Sequence, residues 1–235
     1  MTTEARNRII WVKPVVPAKK EVKEVLCVPA RVVDNLMAEF GHEDRLYRPG
    51  RYIGVTDDDM DYPADDCYDD ILRGAELRPK DEAEHDAAWK QVVPYAVFTT
   101  KHAAFVYTRG KAGDEGRLHD LLSVGVGGHV EPEDLGHRGV NRRGIEAAMM
   151  REIAEEIRVL SVPSWFRMQG VVDHPEGVGL YHVGLVYECR LAYPDLDVRE
   201  SGALADGKFV AHDATLFDRG DFEPWSRLAL DWSLD

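Results

Sequence analysis

The sequence predicts a mixed α/β sandwich, and three observations predict it. After Trp89, short apolar runs of strand type follow one another: QVVPYAVFTT, AAFVYTR and LLSVGVGG, then FRMQGVVD, GLYHVGLVYECRL and GKFV. Between the two groups, Ile145, Met149, Ile153 and Ile157 recur every four residues with Ala148 beside them, the stripe of a helix packed on a sheet. A further amphipathic stretch, PWSRLALDW, closes the chain with Trp225, Leu228, Leu230 and Trp232. Strands and helices mixed in this order bury their apolar faces as layers around one sheet.

Upstream, EVKEVLCVPA reads as a strand. ARVVDNLMAEF then reads as a helix, with Val32, Val33, Leu36, Met37 and Phe40 apolar and Gly41 as its stop. From Gly41 to about Glu84 the periodicity fades, and Asp57, Asp58, Asp59, Asp61, Asp65, Asp66, Asp69 and Asp70 crowd one stretch. The ligand spacing and central Gly of an EF-hand are absent, so a solvated acidic loop is expected. No repeat or long linker divides the chain. Residues 1–88 are taken as an N-terminal extension with strand, helix and acidic loop, packed on a core domain of residues 89–235.

Composition narrows the function. A chain of 235 residues buries roughly 70–75% of its unfolded surface and needs no oligomer to do so, although a homodimer stays open. The formal net charge of −14 opposes contact with polymeric nucleic acid or anionic lipid, which leaves a small phosphorylated ligand as the expected partner. Cys27, Cys67 and Cys189 are odd in number and lack C-x-x-C spacing, so neither a disulfide scaffold nor a zinc site is expected. The opening MTTEARNRIIWVKPVV has no sustained apolar core, and no uncharged stretch approaches a membrane span; a cytoplasmic protein is expected.

Candidate chemistry concentrates in GVGGHVEPEDLGHRGVNRRGIEAAMMREIAEEIRV, residues 125–159. At about 100° per residue, Glu152, Glu155 and Glu156 share a sector of roughly 100° next to the apolar stripe. Glu152 and Glu156 form an i,i+4 like-charge pair, which costs a helix about 0.2–0.5 kcal/mol unless a cation intervenes. Magnesium, a hard ion that keeps several waters, suits a few carboxylates completed by phosphate oxygens. Taken alone, E-x-x-E-E is more often a solvated helix face.

Its context resembles the Nudix box, G-x5-E-x7-R-E-U-x-E-E-x-G-U, where U is a bulky apolar residue. Arg151, Glu152, Ile153, Glu155, Glu156 and Val159 fall on its second half, and Gly128 with Asp134 on its first if Asp replaces Glu. Sixteen residues rather than seven separate Asp134 from Arg151, read as a loop insertion over 135–144, and Arg158 stands where the box has Gly. KQVVPYAVF, YTRG, GRLH and GLYHVGLVYE, with the N-terminal EVLCVPARVV, look like a Nudix branch of predicted phosphoesterases, so the likeness spans most of residues 22–234.

The resemblance implies a Nudix-type α/β/α sandwich around a mixed β-sheet. It also implies a magnesium-dependent (or manganese-dependent) hydrolase that cleaves a diphosphate linkage in a nucleoside diphosphate linked to another moiety, or in a related small molecule. Carried over residue by residue, Glu155 and Glu156 are metal ligands, Glu152 a ligand or the general base on the attacking water, and the Gly128 carbonyl a further ligand. Arg151 orders the glutamates by ion pairing. Glu200, in the loop DVRESGALADG, is a candidate base or ligand, and Glu188 a weaker one. Arg109 and Arg117 are candidate phosphate-binding cations, since guanidinium forks suit phosphate oxygens. His129 is a candidate ligand contact, whereas His174 and His182 are assigned to the fold. The competing readings are a Nudix-fold sensing or interaction protein without turnover, and, within enzymes, isomerisation or phosphomonoester hydrolysis.

Overall fold

A computed structural model describes residues 24–43, 50–55, 63–112, 116–161, 163–199, 202–213 and 215–230. Asp57, Asp58, Asp59, Asp61, Glu200 and Trp232 lie outside these residues. In chain order the elements are β1 (Glu24–Pro29), α1 (Ala30–Glu39), β2 (His42–Glu43), β3 (Arg51–Gly54), α2 (Ala64–Ile71), β4 (Glu76–Pro79) and α3 (Lys80–Ala83). There follow β5 (Trp89–Thr99), β6 (Ala103–Arg109), β7 (Leu122–Ser123), β8 (Gly125–Gly127), α4 (Pro132–Leu135), α5 (Arg142–Glu156) and β9 (Ile157–Val159). The chain continues with β10 (Pro163–Asp173), β11 (His182–Leu191), β12 (Leu196–Val198), β13 (Leu204–Ala211) and α6 (Pro224–Leu230).

The expected N-terminal strand and helix form β1 and α1, and α1 buries Val33, Leu36 and Met37. The acidic stretch departs from expectation, because residues 64–71 form the helix α2 rather than a loop. Asp65 and Asp66 occupy its first turn, where the positive end of the helix dipole favours carboxylates, and Cys67, Tyr68 and Ile71 make a buried inner face. Counting aspartates hid that short apolar face.

One mixed sheet organises the rest, with β13, β6, β5, β11, β10, β3 and β2 in that order; β8 and β1 also pair with β5, β4 pairs with β1, and β7 pairs with β6. The ladder between β5 and β11 is parallel, and β10 returns antiparallel beside β11. Residues before Trp89 enter this sheet through β1 against β5 and β3 against β10.

Because strand side chains alternate, the sheet presents two apolar faces. Val92, Ala96 and Phe98 of β5 and Val183, Leu185 and Tyr187 of β11 join one core cluster with Ile145, Ala148, Met149 and Ile153 of α5. Tyr95, Val97 and Val186 join another with Leu228, Ala229 and Leu230 of α6. Helices therefore cover both faces, and the architecture is the expected α/β/α sandwich around a mixed sheet. The helix expected to carry the apolar stripe through Ile157 stops at Glu156. Ile157 is buried as anticipated, but turns extended (φ −134°, ψ 163°) and opens β9.

All three cysteines are free and buried, and burial pushes the thiols of Cys27 and Cys67 up to about 12 and that of Cys189 to about 11. Thiolate is therefore scarce at neutral pH. A reductant should leave the melting temperature unchanged, and a thiol-specific reagent should label the chain only on unfolding. Labelling of the native protein at the rate of a free thiol would contradict this burial.

Candidate active site

Helix α5 is positioned from its start. The Asn141 side chain accepts hydrogen bonds from the backbone N–H groups of Arg143 (2.9 Å) and Gly144 (3.3 Å), which satisfies two of the amides a helix start leaves open. Gly144 lacks a side chain where Leu135 packs against it. The loop expected over 135–144 is shorter than that range, since 142–144 already form the first turn of α5. Before it, α4 carries a reciprocal cap: the Glu131 side chain accepts from the Asp134 backbone N–H, and the Asp134 carboxylate accepts from the Glu131 N–H at 2.9 Å.

The same Asp134 carboxylate accepts two parallel bonds from Arg151, Nε to Oδ1 at 3.0 Å and Nη2 to Oδ2 at 2.9 Å. Arg151 also donates from Nη2 to the His129 carbonyl (2.9 Å) and from Nη1 to Glu152 Oε1 (2.7 Å), and lies 3.9 Å from Glu155 Oε2. One guanidinium thus ties α4, the turn after β8 and two acids of α5 together, using the planar fork that only arginine offers. Glu152 leans on the bare Cα of Gly128, and a Cβ there would overlap its carboxylate. Burial raises the Glu152 pKa; Arg151 opposes that shift, while Glu155 and Glu131 add to it. Burial raises Glu131 as well.

Glu155 is more exposed than Glu152, with 46% of its side-chain surface open. At the helix end, the Glu156 carbonyl accepts from the Arg199 N–H (2.8 Å), and Arg199 Nε donates to the Ile157 carbonyl (3.1 Å). Arg158, in the place of the box glycine, lies in β9 opposite Asp197 of β12 and pairs with it at 2.9 Å. Among the described residues, no three His, Cys, Asp or Glu side chains converge closely enough to close a metal site by themselves.

The remaining candidates scatter. Arg109 lies 3.4 Å from the buried Glu223. Burial works against its charge, but Glu223 foremost, with Tyr107, Tyr95 and Glu156, more than offsets this and holds its pKa above the ordinary value. Arg117 is exposed in the short turn Gly116–Leu118. His129 turns its ring to His182 on β11, their Nε2 atoms 3.4 Å apart. His174 accepts at Nδ1 from the Glu176 N–H (3.3 Å). Glu188 alternates with Tyr187 and so faces away from α5, where Thr99 donates to it, Gln169 donates at 3.2 Å, and Arg190 lies at 3.2 Å.

Three residues of this arrangement escaped sequence reasoning. Glu131 was legible, since an acid three residues before Asp134 with Pro132 between them reads as a helix cap. Glu223 accepts from Ser123 (2.5 Å), Tyr95 (2.6 Å) and Ser226 (3.2 Å) and anchors Arg109, but nothing in its neighbourhood distinguishes it from a solvated acid. Arg199 holds the end of α5 through its backbone N–H and its Nε, both to backbone carbonyls, contacts that a sequence does not display.

A mixed sheet covered on both faces, with an arginine-clamped acidic helix against a Gly-Gly turn, is the architecture of the Nudix fold, and this chain has that fold. It superposes on Tm1382, itself a candidate Nudix hydrolase, with a TM-score of 0.66 and 22% identity, over 90% of this chain and 98% of Tm1382. It is similar to protein YmaB of Bacillus subtilis (strain 168), 27% identical over 176 residues, which cover 70% of this chain and 78% of YmaB. No family model matches the chain.

Replacing Asp134 with Ala tests the clamp. Breaking a fully buried pair costs about 3–5 kcal/mol, and exposure of part of Arg151 reduces this to about 2–3 kcal/mol in chemical denaturation. A loss below about 0.5 kcal/mol would show that the pair is an ordinary surface contact.

Proposed function

We propose that the chain is a Nudix hydrolase that, with magnesium or manganese, hydrolyses the diphosphate linkage of a nucleoside diphosphate joined to another moiety, or of a related small molecule. The observation that carries this reading is the contact of Glu152 with bare Gly128, held by the Arg151 clamp that also reaches Asp134 and the turn carbonyl. It brings a carboxylate against the Cα of the Gly128 turn while Glu155 stands toward solvent, and carboxylates are the hard oxygen donors that suit magnesium. Magnesium takes one or two carboxylates and completes its shell with water and phosphate oxygens.

Glu152, Glu155 and Glu156 are the proposed ligands, with the Gly128 carbonyl beside them. Bound there, the ion would neutralise phosphate charge and lower the pKa of water for attack on phosphorus. Glu152, whose pKa burial raises, is suited to accept a proton from the attacking water. Arg151 orients Glu152 rather than touching substrate, since its donors are engaged by protein oxygens. Arg109, anchored by Glu223 and within the field of Glu156, is the favoured phosphate contact. Among the described residues no helix is long and apolar enough to cross a membrane, and the buried free thiols agree with a cytoplasmic site of action. The net charge of −14 favours a small substrate over polymeric nucleic acid.

A second reading, ligand sensing without turnover, draws support from the engagement of Glu152 Oε1 by Arg151. Glu155→Gln combined with Glu156→Gln separates the two. Both changes keep helix propensity and relieve like-charge repulsion, so the metal-free variant should be at least as stable as its parent. In the parent, magnesium at a hundred times its dissociation constant adds about 2.7 kcal/mol, a rise in melting temperature of roughly 5–10 °C. The variant should lose most of that rise, together with hydrolysis by about three orders of magnitude or more. Unchanged turnover in the variant, or full activity in excess chelator, would refute the metal mechanism; a magnesium shift without turnover of any diphosphate would favour sensing.

The raised pKa of Glu152 also sets a direction with pH. Ligation needs the carboxylate, so magnesium affinity measured by calorimetry should increase as pH rises through a range above the ordinary glutamate value. Its burial costs the metal-free fold in the same direction: the relative stability present below the unfolded pKa is lost as pH rises through the folded one.

A further inference from the structure

We propose that His129 and His182, with the side-chain oxygen of Gln91, bind one transition-metal cation of the zinc, cobalt or nickel class on the sheet face opposite α5. The proposal is independent of the hydrolase reading.

Alternation along the turn after β8 separates the two sites. Val126 and Val130 point into the core beneath α5, as position 128 does beside Glu152, whereas the intervening His129 meets His182. On β11, His182 is two residues before Gly184 and four before Val186, which faces the α6 cluster, and so shares that face. The His182 Nδ1 lies 2.7 Å from the Val178 carbonyl, which can only accept, so Nδ1 carries a proton and Nε2, which faces His129, is the nitrogen that holds the lone pair in the neutral ring. This bond from the far ring nitrogen to a carbonyl is the support that metal-ligating histidines have.

The 3.4 Å between the two Nε2 atoms is long for an N–H···N bond. It matches two nitrogens on one tetrahedral ion, which stand about 3.3–3.4 Å apart when each metal–nitrogen bond is about 2.0–2.1 Å.

Gln91 supplies a separate observation. It is the register partner of His182 in the parallel β5–β11 ladder, so the two side chains leave the same face about 5 Å apart. Gln91 is 0% exposed, and among the described residues neither its Oε1 nor its Nε2 has a hydrogen-bond partner. A fully buried amide without partners is costly, and an ion at the histidine pair gives its oxygen a role. Two imidazoles and one amide oxygen leave coordination positions for water or a ligand oxygen, and nitrogen donors select borderline ions over magnesium.

The test is a cobalt(II) titration of the full chain in excess magnesium, followed by visible absorption and calorimetry. The parent should bind one equivalent with d–d bands and without a thiolate charge-transfer band. The Glu155→Gln, Glu156→Gln variant should bind equally well, whereas His129→Gln and His182→Gln should bind about tenfold or more weakly. Circular dichroism would check folding; if His182→Gln fails to fold, His129→Gln, in the half-buried turn, decides. No stoichiometric binding by the parent would overturn the proposal. So would a thiolate band, which would assign the ion to Cys27 on the other side of Gln91, or binding that is lost in the glutamate variant and kept in His129→Gln.

Discussion

The paired hydrogen bonds between Arg151 and Asp134 set the geometry on which the rest of the site depends. They join two segments that the chain separates by a turn and the first half of α5, and they let one side chain orient Glu152 and hold the His129 carbonyl. Roughly doubling the length of a flexible connection costs only about 0.6 kcal/mol in closure entropy. A partly buried bidentate pair, reinforced by the Glu131–Asp134 cap, exceeds that cost. The longer connection before α5 is therefore compatible with an ordered acidic helix.

Strand alternation explains why so short a segment serves two environments. Gly128 must be small because Glu152 leans on it, and the next residue necessarily projects to the other side. The His129 ring thus meets His182, while the residue's own carbonyl is retained by Arg151. Its backbone belongs to one face and its ring to the other. A change at position 129 acts on both, through different atoms.

Long elements with strong periodicity were legible in the sequence. The strands at β5, β6, β10 and β11 and the stripe Ile145, Ala148, Met149 and Ile153 were readable because alternation and four-residue spacing follow directly from which side is buried. The acidic helix and its arginine were readable through the resemblance of REIAEE to the second half of the Nudix box, since E-x-x-E-E alone is more often a solvated helix face. Helix α2 was not, since its inner face is only Cys67, Tyr68 and Ile71 beneath a surface of aspartates. The end of α5 is not legible in the sequence, because Ile157 continues the apolar spacing after the backbone has turned extended. Glu223 and Gln91 are polar residues whose burial depends on distant strands, information that no local window contains.

The parallel ladder has a consequence for how the protein is made. Gln91 and His182 are partners about ninety residues apart in the chain, so at translation rates of about 5–20 residues per second β5 leaves the ribosome roughly 5–20 s before the strand that completes its central pairing. During that interval β1, β6 and β8 can occupy only one flank of β5, and the other edge of this Val-rich strand is open to any strand that reaches it. The clamp and the acidic helix are synthesised within that window, whereas the histidine pair must wait for β11. The nascent chain therefore depends on slow, long-range closure, and until then it carries an unpaired central edge exposed to aggregation.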